Sequence, residues 1–232
     1  MAMFEDLRFA PAAAHGAVRL FPLPNLVLFP QVVQPLHVFE PRYRELVEEA
    51  LASDGLIAMG LLQPGWERDY EGRPQVWPVV CVGQILSHHR LPDGRFNLLL
   101  QGAYRAAIRR ELPAATPFRQ VEVDRLDDYY PTSGKAARPA LQKRLADLAR
   151  KLSPERSPVR KELDELLSNQ ISLGALCDVF AFSLSLPLSL KQRLLSEWNV
   201  DRRAQMLIER LTAQLEEQPP QGPNFPPPFS LN

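Results

Sequence analysis

The chain has 232 residues, 45% of them hydrophobic and 23% charged, with a formal net charge of zero. Such a composition buries an ordinary globular core and excludes a collagen-like, disordered or polycationic protein. Neither half carries a basic surplus of the kind that phosphate neutralisation needs, so nucleic-acid binding is disfavoured from the outset.

Residues 1–16 contain Glu5 and Asp6 and no sustained apolar run, so they read as a mobile leader and not as a secretory signal. No stretch approaches the ~18 apolar residues that span a bilayer. The expected location is the cytoplasm, without membrane contact. Cys81 and Cys177 are too isolated for a metal-ligand set or a disulfide framework and read as buried free thiols.

The first strand begins at Ala17 and runs to Leu23. Between Phe21 and Tyr43 (FPLPNLVLFPQVVQPLHVFEPRY) five prolines, at 22, 24, 30, 35 and 41, interrupt short apolar runs. Each locks φ and removes a ladder donor, so the stretch must be short extended pieces joined by bends. Pro41 suits the first turn of a helix reaching about Ser53, with Tyr43, Leu46, Val47, Ala50 and Leu51 near one face. Asp54-Gly55 ends it, and Leu56 to Leu62 reads as a buried strand.

The loop QPGWERDYEGRPQ carries Trp66 and Tyr70, and Trp77 follows. Val79–His88, a Leu91–Gly94 turn and Arg95–Gln101 read as a hairpin. Further strands are expected over Ala103–Arg110 and Phe118–Asp124. Their edges need closure or cover, and a small partly closed antiparallel barrel over 17–127 is the economical solution.

After Asp127 the apolar period changes to three-to-four. Stripes at Ala137, Leu141, Leu145, Leu148 and Leu152, then Val159, Leu163, Leu166 and Leu167, then Leu173, Leu176, Cys177, Phe180 and Leu184 predict three helices. Ser189 with Gln192 predicts a capping box that opens a fourth, to about Trp198, and Asp201 an N-cap for a fifth. A four- to five-helix bundle over 128–217 is therefore expected, followed by a Pro-rich extended tail, 218–232.

The organising stretch resembles the opening of the Lon protease N-terminal domain family, also called the Lon substrate-binding domain. The matching residues are Phe21-Pro22-Leu23, Val27-Leu28-Phe29-Pro30 and Pro35-Leu36-His37-Val38-Phe39-Glu40-Pro41-Arg42-Tyr43. Gln31-Val32 stand where many relatives have Gly-Met. Val82-Gly83-Gln84-Ile85, Leu91–Gly94 and Gln101-Gly102-Ala103-Tyr104-Arg105 resemble the family's hairpin, and Gly174–Leu211 resembles its helical end. The resemblance covers about 18 to 217. It implies an α+β fold, a PUA-like antiparallel β pseudo-barrel with one helix followed by a helical bundle, and it implies a stand-alone recognition part without the ATPase and protease modules.

Chemistry is hard to find in the residues. P-loop, G-x-S-x-G and H-E-x-x-H patterns are missing, so no nucleotide, cofactor or metal is expected. Adjacent His88 and His89 point to opposite faces of a strand, and His37 reads as a satisfied, half-buried side chain. The expected function is non-catalytic binding of polypeptide segments or unfolded proteins, through a groove between barrel and bundle or along a strand edge. An adaptor role in protein quality control and a full-length Lon protease as partner in trans belong to that reading. Trp66, Tyr70 and Trp77 on the irregular segment, with Phe39, Arg42 and Tyr43 beside the bend, are the candidate contacts. The alternative is a PUA-like RNA-binding module using Arg90, Arg95, Arg105, Arg109, Arg110 and Arg119.

Overall fold

A computed structural model describes residues 17–70, 72–152 and 171–217. The leader, the Pro-rich tail and the helix expected around Val159–Leu167 lie outside the described residues. The chain divides into two compact units, one of residues up to Tyr129 with Asp178–Trp198, the other of Tyr130–Cys177 with the residues from Asn199 onward.

In the first unit six strands form one sheet: β1 (Ala17–Leu23), β2 (Val33–Val38), β3 (Leu56–Leu61), β4 (Val79–Arg90), β5 (Phe96–Glu111) and β6 (Arg119–Leu126). Their order is β2-β5-β4-β3-β1-β6, and β5 pairs a second time with β6. Five strands therefore close into a ring, with β2 left as an appendage on β5. Alternating side chains of Val18, Leu20, Ala58, Val80, Val82, Ala106, Val121 and Val123 form a buried cluster, as the period of two along each strand requires.

One pairing departs from the expected antiparallel set. β1 and β3 run parallel, because the chain between them makes a crossover through β2 and helix α1 (Pro41–Leu51). Pro41 opens α1, which buries Tyr43, Leu46, Val47 and Ala50. Buried Arg19 of β1 ties down the far end of the helix through Glu49 (3.1 Å) and Asp54 (2.7 Å).

The prolines sit where a ladder can spare a donor. β1 pairs with β6 only as far as Leu20, so Pro22 is flanked by β3 alone. Pro35 lies in β2, which pairs only with β5. Both positions are the edge sites to which sheet prolines are confined.

The two strands expected on either side of Gly102 are one continuous strand, β5. Its first half pairs with β2 and its second with β6, and Gly102 lies between. There the Phe29–Val32 bend crosses so closely that a Cβ on residue 102 would stand 2.0 Å from the Phe29 carbonyl oxygen. Only glycine admits that approach. Gly102 donates its N–H to Val32 O (2.9 Å) and accepts from Gln31 N (2.7 Å). Gln31 takes φ +68°, so the bend keeps a left-handed conformation without a glycine to occupy it.

The remaining described helices are α2 (Arg138–Leu152), α3 (Leu173–Ser183), α4 (Leu188–Ser196) and α5 (Val200–Glu217). In the first unit α4 packs on β4. The predicted capping box at Ser189 is absent: α4 starts at Leu188 after Pro187, without a side-chain cap. Gln192 is buried instead and donates to Val79 O (2.8 Å). The helix also stops at Ser196, short of Trp198.

In the second unit α2 and α5 pack together; α2 buries Leu145, Ala146, Leu148 and Ala149, and α5 buries Val200, Ala204, Leu207, Ile208 and Leu211. Ala137 precedes α2 and is exposed, so it is not part of the stripe. Asp201 is not the cap of α5. Asn199 Oδ1 takes the N–H groups of Asp201 (3.0 Å) and Arg202 (3.2 Å), while Asp201 pairs with Arg138 (2.7 and 3.0 Å). Asparagine is as good a cap as aspartate, and the ion pair claims the carboxylate.

Cys81 and Cys177 are buried free thiols. Burial pushes the Cys81 thiol far up from its ordinary range, which leaves it unreactive.

Candidate functional site

The last β3 partner of β4 is Gln84, opposite Leu56. Beyond that point β4, the first half of β5 and β2 continue as a three-stranded extension of the ring. Side chains directly across from one another form two rows, Pro35–Leu99–Ser87 and His37–Asn97–His89. These rows line a groove of about 440 Å³, to which His88 and Leu98 also contribute.

Large apolar side chains stand uncovered in this extension and at its end: Val33, Leu86, Leu99 and above all Phe39, which is 59% exposed. Val33, Pro35, His37 and Phe39 follow one another at a spacing of two, so they project on one side of β2. Phe39 stacks on the His37 ring with centroids 6.2 Å apart. Exposed apolar clusters of this kind mark binding surfaces more often than chance.

The outer edge of β2 is poorly suited to receiving another strand. Val32 O accepts from Gly102 N, so alternate residues Gln34, Leu36 and Val38 direct their main-chain groups to β5, and Val33, Pro35 and His37 direct theirs outward. Pro35 has no N–H to offer, and Gln34 Nε2 occupies its carbonyl (2.6 Å). This is how natural edge strands avoid pairing.

His37 is satisfied on both ring nitrogens. Nδ1 meets Asn97 Oδ1 at 2.7 Å and Nε2 meets the Arg95 guanidinium at 3.4 Å. The arrangement suits an Nδ1–H tautomer, which leaves no acceptor nitrogen for general-base chemistry. His88 and His89 lie opposite Leu98 and Asn97, on opposite faces. Among the described residues no group of three His, Cys, Asp or Glu side chains is placed to hold a metal ion.

The residues singled out from the sequence divide into several environments. Glu40 is the centre of one cluster: Tyr70 Oη donates to Glu40 Oε1 (2.6 Å), and Arg42 pairs with Glu40 Oε2 (2.9 Å). The Arg42 guanidinium lies over the rings of Tyr43 (4.8 Å) and Tyr70 (5.0 Å), and Trp66 meets Tyr70 edge-on at 5.5 Å. Burial, followed by the bond to Glu40, raises the Tyr70 phenol above its ordinary range. Tyr43 is a core residue, 4.3 Å from Phe21, and its phenol is pushed up to about 12 by burial. The main chain of Trp77 is held at the end of β3, its backbone N–H donating to Leu61 O (2.9 Å). Phe39 belongs to the exposed extension. Sequence reasoning missed Val33, Leu86 and Leu99; the period of two from Val33 to Phe39 was the available signal.

The arginines that motivated an RNA-binding reading are each matched by a carboxylate. Arg90 pairs with Glu48 (3.0 Å), Arg95 with Asp93 (2.6 Å), Arg109 with Asp124 (3.1 Å), Arg110 with Glu122 (2.8 Å) and Arg119 with Glu111 (2.7 Å). Arg105 is buried against Asp178. No surplus of positive charge is left among these six to track a phosphate backbone, and the RNA reading is not supported. No described helix is long and apolar enough to cross a membrane.

Residues 17–213 match the model of the ATP-dependent protease La (LON) substrate-binding domain. The chain is 26% identical over 204 residues to Lon protease 1 of Syntrophobacter fumaroxidans, covering 88% of this chain and 24% of that protein. It is 28% identical to the Lon protease of Trichlorobacter lovleyi, covering 85% and 24% respectively. The chain thus spans about a quarter of the length of these relatives. Its fold is shared with the N-terminal domain of the Mycobacterium avium complex Lon protease, at a TM-score of 0.65 and 20% identity, covering 85% of this chain and 98% of that one. A Lon N-terminal domain protein from Xanthomonas campestris gives a TM-score of 0.57 at 22% identity, covering 88% and 99%. With the family model matching from Ala17 to residue 213, the chain belongs to the Lon substrate-binding domain family.

Proposed function

We propose that this protein is a non-catalytic polypeptide-recognition module that takes apolar segments of unfolded chains on the β4–β5–β2 extension. The observation that carries the reading is the exposure of Val33, Phe39, Leu86 and Leu99 along one three-stranded extension whose 440 Å³ groove Leu99 lines, in a member of a substrate-binding family. Apolar contact tolerates many sequences, as recognition of unfolded chains requires, and the proline-guarded edge of β2 favours side-chain capture over strand addition. Glu40, the centre of the Arg42–Tyr70 cluster, follows Phe39 directly in sequence. An adaptor role in protein quality control, with a full-length Lon protease acting in trans, follows from the same reading. The test is capture of a permanently unfolded polypeptide by the purified chain: Leu99→Asp weakens it, and undiminished capture by a folded Leu99→Asp protein overturns the assignment.

A further inference from the structure

At the end of the first unit two large aromatic side chains meet in the open, tilted against each other. Tyr129 and Trp198 are 48% and 51% exposed, yet their ring centroids lie 5.3 Å apart at an interplanar angle of 33°. The pair is fixed by the main chain, since Tyr129 N–H donates to Trp198 O at 2.9 Å. A rigid, exposed Tyr–Trp pair is the kind of surface on which polyproline segments dock, prolines packing on the ring faces while tyrosine hydroxyl and indole N–H donors meet the bare carbonyls.

The chain carries such a ligand. After α5 ends at Glu217 the sequence continues as QPPQGPNFPPPFSLN, with six prolines and the run Phe225-Pro226-Pro227-Pro228-Phe229. Its reach is sufficient. α5 begins at Val200, two residues after Trp198, and its 18 residues carry the chain about 27 Å away. The ten residues from Glu217 to Pro227, at ~3.1 Å each, can extend about 31 Å, enough to bring the run back to the start of the helix. Tethering also presents the segment at an effective concentration on the order of mM, so that a weak site is filled.

We propose that the Tyr129–Trp198 pair is the seat of the protein's own Pro-rich segment, residues 218–232, with the 225–229 run against the two rings. The test uses the full chain carrying Trp66→Phe and Trp77→Phe, in which Trp198 is the remaining tryptophan of the three. Replacing Pro226, Pro227 and Pro228 together by serine alters neither described unit. It shifts the Trp198 emission to the red and speeds chymotrypsin cleavage after Phe229 by roughly fivefold or more, since cleavage follows the undocked population. Trp198→Ala, in the otherwise unchanged chain, speeds the same cleavage. An emission maximum and a cleavage rate both indifferent to the serine replacements overturn the proposal. Protection that appears only as protein concentration is raised also overturns it, in favour of a segment donated by a second copy.

Discussion

Arg105 on β5 and Asp178 on α3 face each other as a two-pronged ion pair with almost no access to water, at 3% and 2% exposure. Arg105 Nε also donates to Leu195 O at the end of α4 (3.0 Å), and Nη1 reaches Asp128 at 3.4 Å. One guanidinium therefore joins the ring to two helices and to the segment after β6. Burial alone would lower the guanidinium's pKa, and the Asp178 carboxylate more than offsets that. Asp178→Asn leaves the cation buried beside a neutral group and should cost about 3–5 kcal/mol. Arg105→Met combined with Asp178→Leu should cost less than either single replacement. Urea denaturation of Asp178→Asn, of the double variant and of its two single replacements measures this, and additive losses in the double variant would contradict it.

Gln31 is exposed and holds φ +68° at the bend that crosses Gly102. A left-handed conformation costs a non-glycine residue about 1–2 kcal/mol, partly balanced by the greater unfolded-state freedom of glycine. Gln31→Gly is expected to stabilise the fold by about 0.5–1 kcal/mol. Gln31→Val should destabilise it, because a branched Cβ is least tolerant of positive φ. The order of melting temperatures, Gly above Gln above Val, is the measurable outcome.

Tyr43 supplies a pH signature at the alkaline end. Its phenol, near 10 when unfolded, is held up to about 12 in the folded protein by burial. The folded state therefore binds this proton more tightly, and the contribution is complete below pH 10. It is lost as pH rises from 10 to 12, a change on the order of 2 kcal/mol. Tyr43→Phe removes that component. The wild-type urea midpoint should therefore fall relative to that of Tyr43→Phe across this window, and a constant difference from pH 8 to 12 would count against it.

Phe39 separates recognition from stability. At 59% exposure its truncation to alanine should alter stability by no more than about 0.5 kcal/mol. Binding of an unfolded polypeptide should fall by roughly 5–30-fold, the range of an exposed aromatic contact worth ~1–2 kcal/mol. Trp66→Ala and Tyr70→Ala should have a smaller effect on binding and a larger one on stability, since both rings are partly covered and Tyr70 holds Glu40. Titration of each variant with a fluorescent unfolded substrate distinguishes the two sets.

Local rules legible in the sequence settled a large part of this protein. The prolines from 22 to 41 dictate short extended pieces before a helix, Pro41 opens α1, and the amphipathic spacing of Tyr43, Leu46, Val47 and Ala50 fixes its buried face. The FP and FEPRY runs carried the family resemblance for the same reason: prolines constrain φ wherever they stand. Tertiary structure alone decided what depends on distant chain segments. Gly102 looked like a break and is a crossing point, because the Phe29 carbonyl that excludes a side chain is far away in sequence. Asp201 and Gln192 looked like caps, but Arg138 and the Val79 carbonyl offered stronger partners across the packed interior. Exposure of Leu86 and Leu99 could not be read from hydrophobicity. It arises because β4 and β5 outrun the strands and helix that cover the rest of the ring, a consequence of register and of strand length set by pairing, which no local pattern encodes.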